Sequence, residues 1–494
     1  MSNVTRRDLL LGSIATAAAA GGQTGPAATS EQRVQEYLKR IEQLNLHGPQ
    51  LRAVIEINPD ALADAARLDA EAKTKGPRGP LHGVPVLIKD NIDTADRMKT
   101  TAGSLALAGA PPPKQDAPLV ARLRAAGAVI LGKTNLSEWA NFRSTHSVSG
   151  WSGRGGQTRN PYALDRNPSG SSSGSAVAVA AGMCAMAIGT ETDGSIVSPA
   201  SVNGIVGIKP TVGLIPGAGI VPIAHSQDTA GPMTLTVADG AALLTALATR
   251  REDYTKALDP RGLRGARLGV ARNYFGRNPA VDRLIENAIA ALKREGAEII
   301  DPVELPGKYG EAEFEVLLYE FKAGLNAYLA ARGGPVRSLK DLIAFNEKHR
   351  TEEMPYFGQE ICEMAEKKGP LTDNAYIEAL AHCRRLSREE GIDAVLSKHK
   401  LDAIVAPTNG PAWLTDPVNG DQDTGGCSSA AAVAGYPHVT VPAGFVQGLP
   451  IGLSFFGAAW KEATLIRFAY AFERATEARK APQFLPAAPV EPLG

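Results

Sequence analysis

Two serine-rich segments are the parts of this sequence whose residue types and spacing could do chemistry. Residues 169–175 are all Gly or Ser, and residues 190–195 place a second serine behind an acid-containing turn. Gly-rich backbone leaves N–H groups accessible, and hydroxyls both donate and accept hydrogen bonds. The small apolar run 176–188 between the segments predicts a buried helix that holds them at a fixed separation. A flexible Gly/Ser linker is the alternative, but a linker is not expected to lead into so core-like a run.

Lys89 is the candidate base for activating a serine. It ends a predicted strand, residues 84–89, that is rich in branched side chains, and the polar loop 90–94 follows. A lysine carried into a core loses its hydration, which lowers its pKa and makes a neutral amine available near neutral pH. An ordinary surface lysine at a strand end fits the same letters, so the residues alone leave both interpretations open.

Three further patterns imitate known sites. Residues 127–134 match the P-loop formula, but the positions between its glycines read as a strand and not as a phosphate cradle. Ser172 is centred in a G-x-S-x-G pattern, but residues 166–168 cannot supply the strand that a nucleophile elbow needs. His225 and Asp228 could complete a Ser-His-Asp triad with Ser195, although we favour a structural role for His225 in a loop beside the core.

Composition narrows the class of protein. The 494 residues are 44% hydrophobic, enough for a sizeable core, and 52 basic residues balance 52 acidic ones. No global field therefore favours a nucleic-acid partner. The four cysteines are scattered without a CxxC pair, which predicts neither disulfides nor a zinc site. Cys184 and Cys427 lie among small residues and are predicted to be buried.

The N-terminus has the pattern of an export signal. Arg6 and Arg7 precede an apolar, Ala-rich run over residues 9–20, which suggests a twin-arginine signal peptide. The run is too short to remain as a membrane span. We therefore expect residues 1–24 to be signal and spacer, and the mature protein to be periplasmic or secreted without stable membrane association. A disordered N-terminal arm is the alternative.

The remaining chain alternates helices and strands. Predicted helices include 29–46, with a Thr29/Gln32 capping box, 60–75, and 117–126, capped by Asp116. Further along come a βαβ-like unit over residues 265–300, a charged helical insertion at 311–400, strands at 403–407 and within 439–456, and a closing helix at 462–476. This alternation predicts an α/β architecture with a largely buried sheet.

Taken together, five segments resemble the amidase signature family. They are G-V-P-V-L-I-K-D (83–90), G-K-T-N-L-S-E (132–138), P-S-G-S-S-S-G-S (168–175), G-T-E-T-D-G-S-I (189–196) and G-I-K-P-T (207–211). The resemblance implies one α/β domain over residues 25–484, with a mixed, mostly buried sheet covered by helices on both faces, and a short tail at 485–494. It also implies a serine amidohydrolase with a Ser–Ser–Lys triad that needs neither cofactor nor metal.

The resemblance assigns a role to each matching residue. The base is Lys89, the bridging serine is Ser171 and the nucleophile is Ser195. The oxyanion hole is made by the backbone N–H groups of Thr192, Asp193, Gly194 and Ser195, with Ser172 and Glu191 in support. The sequence departs from the family's usual residues at Ser169, Ser173, Glu191 and Asp193, and these departures resemble the peptide amidase branch.

The expected reaction is deamidation of peptide C-terminal amides, with release of ammonia through an acyl-enzyme on Ser195. The alternatives are a general aliphatic or aryl amidase, an amidotransferase A-type subunit, and a non-catalytic periplasmic binding protein on an amidase scaffold. The insertion at 311–400 is expected to shape the pocket. Its possible wall residues are Phe314, Leu317, Tyr319, Phe321 and Tyr328, and for any single one of them helix core is the favoured interpretation.

Overall fold

The computed structural model describes residues 28–489 apart from residue 424, so the predicted signal peptide lies outside the described residues. The strands are β1 Val54–Ile57, β2 Pro85–Lys89, β3 Val129–Thr134, β4 Trp151–Ser152, β5 Gly156–Gln157, β6 Met186–Glu191, β7 Val206–Lys209, β8 Thr229–Thr234, β9 Arg267–Ala271, β10 Glu298–Val303, β11 Ala403–Pro407, β12 His438–Val446 and β13 Leu449–Phe456.

The α-helices follow the same chain order. They are α1 Ser30–Leu44, α2 Ala61–Lys75, α3 Pro118–Ala125, α4 Ser173–Ala180, α5 Val197–Val202, α6 Val237–Leu247, α7 Pro279–Arg294, α8 Gly310–Arg332, α9 Leu339–Lys348, α10 Arg350–Glu353, α11 Glu360–Glu366, α12 Asn374–Arg384, α13 Asp393–His399, α14 Ser428–Ala434 and α15 Glu462–Thr476. A π-helical stretch, Arg385–Ile392, joins α12 to α13.

Eleven of the described strands form one mixed sheet in the order β1-β3-β2-β6-β8-β7-β12-β13-β11-β9-β10. Strands β3, β2 and β6 are mutually parallel, as are β11, β9 and β10, while the central strands between them pair antiparallel. The parallel pairing of β9 and β10 around α7 confirms the predicted βαβ unit. The fold class is therefore the expected one, a single large α/β domain.

Side chains of the central strands alternate between two separate apolar clusters. On β2, Val86 and Ile88 pack in the cluster that contains α3, α6, α7 and α15. Leu87, between them, packs in the cluster of α1, α2 and α4 on the other face. Since side chains two apart on a strand share a face, Lys89 is on the same side as Leu87 and α4. Helices therefore cover both faces of the sheet, and the N-terminal end of α4 lies on the lysine's side.

The apolar run between the serine segments is not one helix, which corrects our prediction. Only α4 is helical, ending at Ala180, and the chain then turns at Gly182, whose φ is +68°, before entering strand β6. Because the run is small and apolar all round, it has no period that separates helix from buried strand. The consequence for the site is that one serine segment begins a helix and the other ends a strand.

Other local predictions have mixed outcomes. The capping box at Thr29 and Gln32 is present. Asp116 does not cap α3, because it accepts from the Ala95 N–H and pairs with Arg124, and Ala117 is the N-cap. The P-loop look-alike forms strand β3, as expected. All four cysteines are buried free thiols, and no helix of residues 28–489 is long and apolar enough to cross a membrane.

Candidate active site

Lys89 is buried at the end of β2 with three oxygen atoms around its amine. Its Nζ lies 2.8 Å from Ser171 Oγ, 2.9 Å from Thr190 Oγ1 and 3.3 Å from the Thr190 carbonyl oxygen. The side chain has no exposed surface. The ordinary surface lysine left open by the sequence is thus excluded, and the lysine and Ser171 are in hydrogen-bond contact.

The surroundings of this amine favour its neutral form. Burial lowers the pKa of Lys89 to about 7, although the negative charges of Asp228 and Glu191 oppose the shift. A neutral amine has two N–H donors and one lone pair. The two donors can be satisfied by the two oxygens of Thr190, so that the lone pair faces the Ser171 hydroxyl. In this arrangement Lys89 can accept a proton from Ser171.

The first serine segment is held by its own backbone and side chains. The Gly170–Ser171 peptide bond is cis, and the Ser171 carbonyl accepts from the Ser137 N–H at 3.1 Å. Ser169 has a φ of +58°, a left-handed conformation in which glycine is favoured. Ser171 is only 1% exposed, so its hydroxyl is sequestered with the lysine.

Ser172 joins the two serine segments. Its N–H donates to the Ser195 carbonyl at 3.1 Å, and its hydroxyl donates to the Thr190 carbonyl and accepts from the Thr190 N–H. The Ser172 side chain is completely buried, and its hydroxyl both donates and accepts a hydrogen bond. It therefore aligns the segments with each other, and the nucleophile-elbow interpretation of Ser172 does not fit this position.

Hydrogen bonds to the Glu191 carboxylate stabilise the turn that carries Ser195. Glu191 Oε2 accepts from the N–H groups of Ile196 at 2.7 Å and Val197 at 3.0 Å, the residues that follow the serine. Gly194 has a φ of +78°, and a Cβ there would lie 3.0 Å from Ser428 Oγ. The turn therefore requires glycine at position 194, while Asp193 needs no left-handed backbone.

A cavity of about 510 Å³ opens at Ser195. Its wall includes all four residues of the predicted oxyanion hole, together with Gly170 from the first serine segment. Ser195 is 8% exposed and so is within reach of a molecule in the cavity. The proposed nucleophile and the oxyanion-hole residues thus line a single cavity, whereas Lys89 and Ser171 are buried and are not among its lining residues.

His225 and Asp228 do not form a triad with Ser195. The His225 side chain is 65% exposed and pairs with Glu320 at 3.2 Å. Asp228 instead accepts from Thr192 Oγ1 at 2.6 Å and from the N–H groups of Ile223 and Ala224. Burial raises the pKa of Asp228 to about 7. Its position indicates that it fixes Thr192, the first residue of the predicted oxyanion hole.

The helical insertion contributes part of the wall, as expected, but only two of the five candidate residues do so. Phe314 and Leu317 on α8 line the cavity. Phe321 is fully buried in an apolar cluster, Tyr319 is buried in another, and Tyr328 donates its hydroxyl hydrogen to Asp93. Helix core was thus the better interpretation for these three.

Sequence reasoning missed Thr190 and Glu313, and it considered Asp228 only as a member of a Ser-His-Asp triad. Thr190 binds the lysine amine, Asp228 holds Thr192, and Glu313 on α8 lines the cavity. Thr190 lies inside a segment already singled out, so its hydroxyl could have been found there. No pattern in the sequence connects Glu313, within the insertion, to a turn more than a hundred positions earlier.

Comparison with known proteins decides the family. The pattern common to the family described as Amidase matches residues 32–466. The chain belongs to the amidase family. This amidase is 44% identical over 483 residues to a probable amidase of Arabidopsis thaliana, covering 92% of this chain and 89% of that relative. It is also 36% identical to the A-type subunit of the glutamyl-tRNA(Gln) amidotransferase of Myxococcus xanthus, covering 94% and 97% of the two chains.

Two solved structures extend the comparison. The native peptide amidase of Stenotrophomonas maltophilia superimposes with a TM-score of 0.88 at 55% identity, over 93% of this chain and 96% of that one. A peptide amidase in complex with the competitive inhibitor chymostatin gives a TM-score of 0.90 at 55% identity, over 92% and 96%. The amidase described here is therefore a serine amidohydrolase with the fold of these enzymes.

Proposed function

We propose that this enzyme removes the C-terminal amide of peptides through an acyl-enzyme on Ser195, with Ser171 and Lys89 as proton relay. The contact between the buried Lys89 amine and Ser171 Oγ, 2.8 Å apart, carries the catalytic part of the proposal. The 55% identity to solved peptide amidases supports the choice of substrate.

The relay begins with the neutral lysine. Lys89 takes the proton of Ser171, which takes the proton of Ser195 as Ser195 Oγ attacks the amide carbon. A hydroxyl suits the middle position because it donates and accepts at once. The proton then returns by the same path to the leaving nitrogen, ammonia departs, and water hydrolyses the acyl-enzyme by a second passage.

The oxyanion of the tetrahedral intermediate is held by backbone N–H groups of residues 192–195. Fixed donors of this kind typically contribute a few kcal/mol each to lowering the barrier. Because backbone atoms supply them, the aspartate at position 193 does not remove a donor. Thr192 is held by Asp228 and the turn beyond Ser195 by Glu191, so the donors are fixed before substrate arrives.

The test is hydrolysis by the triad variants. Ser195→Ala and Ser171→Ala should each lower kcat/KM for an N-acetylated dipeptide amide at least about a thousandfold, measured by ammonia release. Ser397→Ala, at an exposed position on α13, is the matched control and should retain wild-type activity. The catalytic proposal is wrong if Ser195→Ala stays within a factor of two of the wild type.

A panel of amide substrates tests the proposed choice of substrate. Ammonia release should be fastest from peptide amides, with aliphatic and aryl amides slower. Glutamine should be included, because the A-type component of an amidotransferase is among the relatives. A clear preference for glutamine, or copurification with a second protein chain, would favour the amidotransferase over the peptide amidase.

Export to the periplasm by the twin-arginine route belongs to the same proposal. It is supported by the Arg6-Arg7 pair and the short apolar run that follows. Replacing both arginines with lysine should leave the precursor in the cytoplasm, detected by cell fractionation. Unchanged fractionation of that double variant would contradict the proposal.

A further inference from the structure

The charged residues along the described wall of the cavity are all acidic. Among the described residues that line it, every charged side chain is an acid: Asp193, Glu313, Asp421 and Asp423. Asp421 is occupied, since it accepts hydrogen bonds from Ser149, Asn167 and Trp413. Asp423 is exposed at the rim. Asp193 and Glu313 are the acids nearest the chemistry, because Asp193 is part of the turn that ends in Ser195.

Asp193 and Glu313 come from different elements and meet in this wall. Both line the same cavity, and Gln227 Nε2 donates to the Thr192 carbonyl at 3.3 Å, which joins Glu313's partner to the turn that contains Asp193. Glu313 is buried and fixed by Gln227, whose Nε2 donates to Glu313 Oε1 at 2.9 Å. Asp193 retains a buried oxygen, Oδ1, without a hydrogen-bond partner. One carboxyl is thus held by Gln227, and the other belongs to the turn that carries Ser195 and keeps one buried oxygen without a partner.

Hydrolysis of a carboxamide gives the enzyme a problem of discrimination. The substrate is a neutral amide and the product is a carboxylate of nearly the same shape, so steric fit cannot separate them. An oxyanion hole makes this worse, because its N–H donors also attract the negative product. A fixed negative charge close by favours the amide and repels the acid.

We propose that Asp193 and Glu313 form a carboxyl pair that distinguishes the neutral amide substrate from its carboxylate product by charge. This inference rests on the proposed function, since it names how the same cavity selects its ligand. The pair expels the product and keeps peptides with free C-termini from occupying the site.

The ionisation of the pair is consistent with this role. Burial, and then the neighbouring Asp193 charge, raise the pKa of Glu313 well above its ordinary range. Burial and the neighbouring charge thus oppose the ionisation of Glu313, and the negative charge of the cavity wall grows when Glu313 loses its proton. Repulsion of a carboxylate ligand should accordingly increase with pH.

Other titratable groups surround the pair. They are Tyr274, Tyr309, Cys383, Cys427, Glu191 and Lys209. Burial raises the pKa values of the tyrosines and cysteines, so those groups stay neutral through the pH range of the test. Lys209, with a pKa lowered to about 8, and Glu191 are unchanged in a Glu313 variant. A comparison with that variant therefore isolates the contribution of Glu313.

The experiment measures binding without turnover. Full-length Ser195→Ala protein is titrated by calorimetry with an N-acetylated dipeptide amide and with the same dipeptide as the free acid. The amide should bind at least about tenfold more tightly at pH 7, and the ratio should grow severalfold from pH 6 to pH 9. Adding Asp193→Asn should reduce the ratio to below about threefold.

The Glu313 variant gives a readout that a merely structural role would not move. With Glu313→Gln added, the preference at pH 7 should persist while its increase toward pH 9 becomes clearly smaller, the remainder coming from Lys209. Glu311→Gln, exposed on the same helix, is the control and should keep the full pH dependence. The comparison of Glu313→Gln with Glu311→Gln tests the inference even if the Asp193 variant does not fold.

Each outcome of these titrations supports or contradicts the charge-discrimination inference. Equal binding of acid and amide, or an unchanged pH dependence in Glu313→Gln, overturns the charge-discrimination inference and leaves the peptide amidase proposal standing. Failure of both ligands to bind Ser195→Ala contradicts the proposed function, and the inference falls with it.

Discussion

A lysine can serve as a general base only if it is neutral when substrate arrives. Lys89 meets this condition through burial, which outweighs the opposing charges of Asp228 and Glu191. The contacts agree with the pKa, because two oxygens of Thr190 match the two donors of a neutral amine. At the residue scale, therefore, desolvation lowers the pKa of the lysine, and the hydrogen-bond geometry accommodates the neutral amine.

The pH dependence of the reaction follows from this lysine. Since the neutral form is active and its pKa is lowered to about 7, kcat/KM should rise about tenfold per pH unit below pH 7 and level off above it. Lys89→Met should lose this acidic limb and about 10²–10⁴-fold of the activity. A profile measured from pH 5 to pH 9 checks both, and a flat wild-type profile would contradict the role of Lys89.

Asp228 allows a second test, because its own pKa is also raised to about 7. Its negative charge favours the protonated lysine, so Asp228→Asn should move the acidic limb to lower pH. Activity on the plateau should fall as well, since Thr192 loses its acceptor. If the limb disappeared instead of moving, the titrating group would be Asp228 and not Lys89.

At the scale of elements, a buried ionic cluster joins the helical insertion to the core. Arg143 Nη1 donates to Glu138 and to the carbonyl of Glu353 at the end of α10, and its guanidinium lies 4.2 Å from the ring centroid of Phe357. Glu353 accepts from the Leu105 N–H at 2.6 Å. This cluster therefore fixes the position of α10 against the loops beside the cavity.

Removing the arginine should loosen that junction. Arg143→Ala leaves Glu138 and Glu353 buried without their cation, which typically costs roughly 3–5 kcal/mol. Urea denaturation should show the loss, and limited proteolysis should cut first within residues 333–400. Arg350→Ala, which removes an exposed pair with Glu347, is the control at about 0–1 kcal/mol. Equal losses in the two variants would contradict the role of the cluster.

Whether a segment forms a helix or a strand could be predicted where its apolar residues recur at a regular spacing. It could not be predicted where they do not. The closing helix α15 has the predicted bounds, and its apolar positions recur at helical spacing. The run 176–188 has small apolar residues on every side, so only the structure separates α4 from β6. Asp116 preceded a helix, but tertiary pairing with Arg124 determined its role.

At the scale of the whole molecule, the fold and the serine segments could be read from local sequence, but the cavity could not. The triad candidates lie in segments recognisable by their own letters, and β2, α4 and β6 bring them together. Glu313 and Asp228 act through contacts between distant parts of the chain. Their roles depend on where α8 and the loop at 223–228 pack, which no local pattern specifies.

The two faces of the sheet also separate stability from catalysis. Phe472 on α15 is fully buried and contacts Phe455 on the face opposite Lys89. Phe472→Ala should cost about 3–5 kcal/mol in urea denaturation, because a large cavity forms in the core. The acidic limb near pH 7 should not move, since the lysine's surroundings are on the other face. Arg474→Ala, more than half exposed on the same helix, should change neither quantity. A shifted limb in Phe472→Ala would show that the two faces are coupled through the sheet.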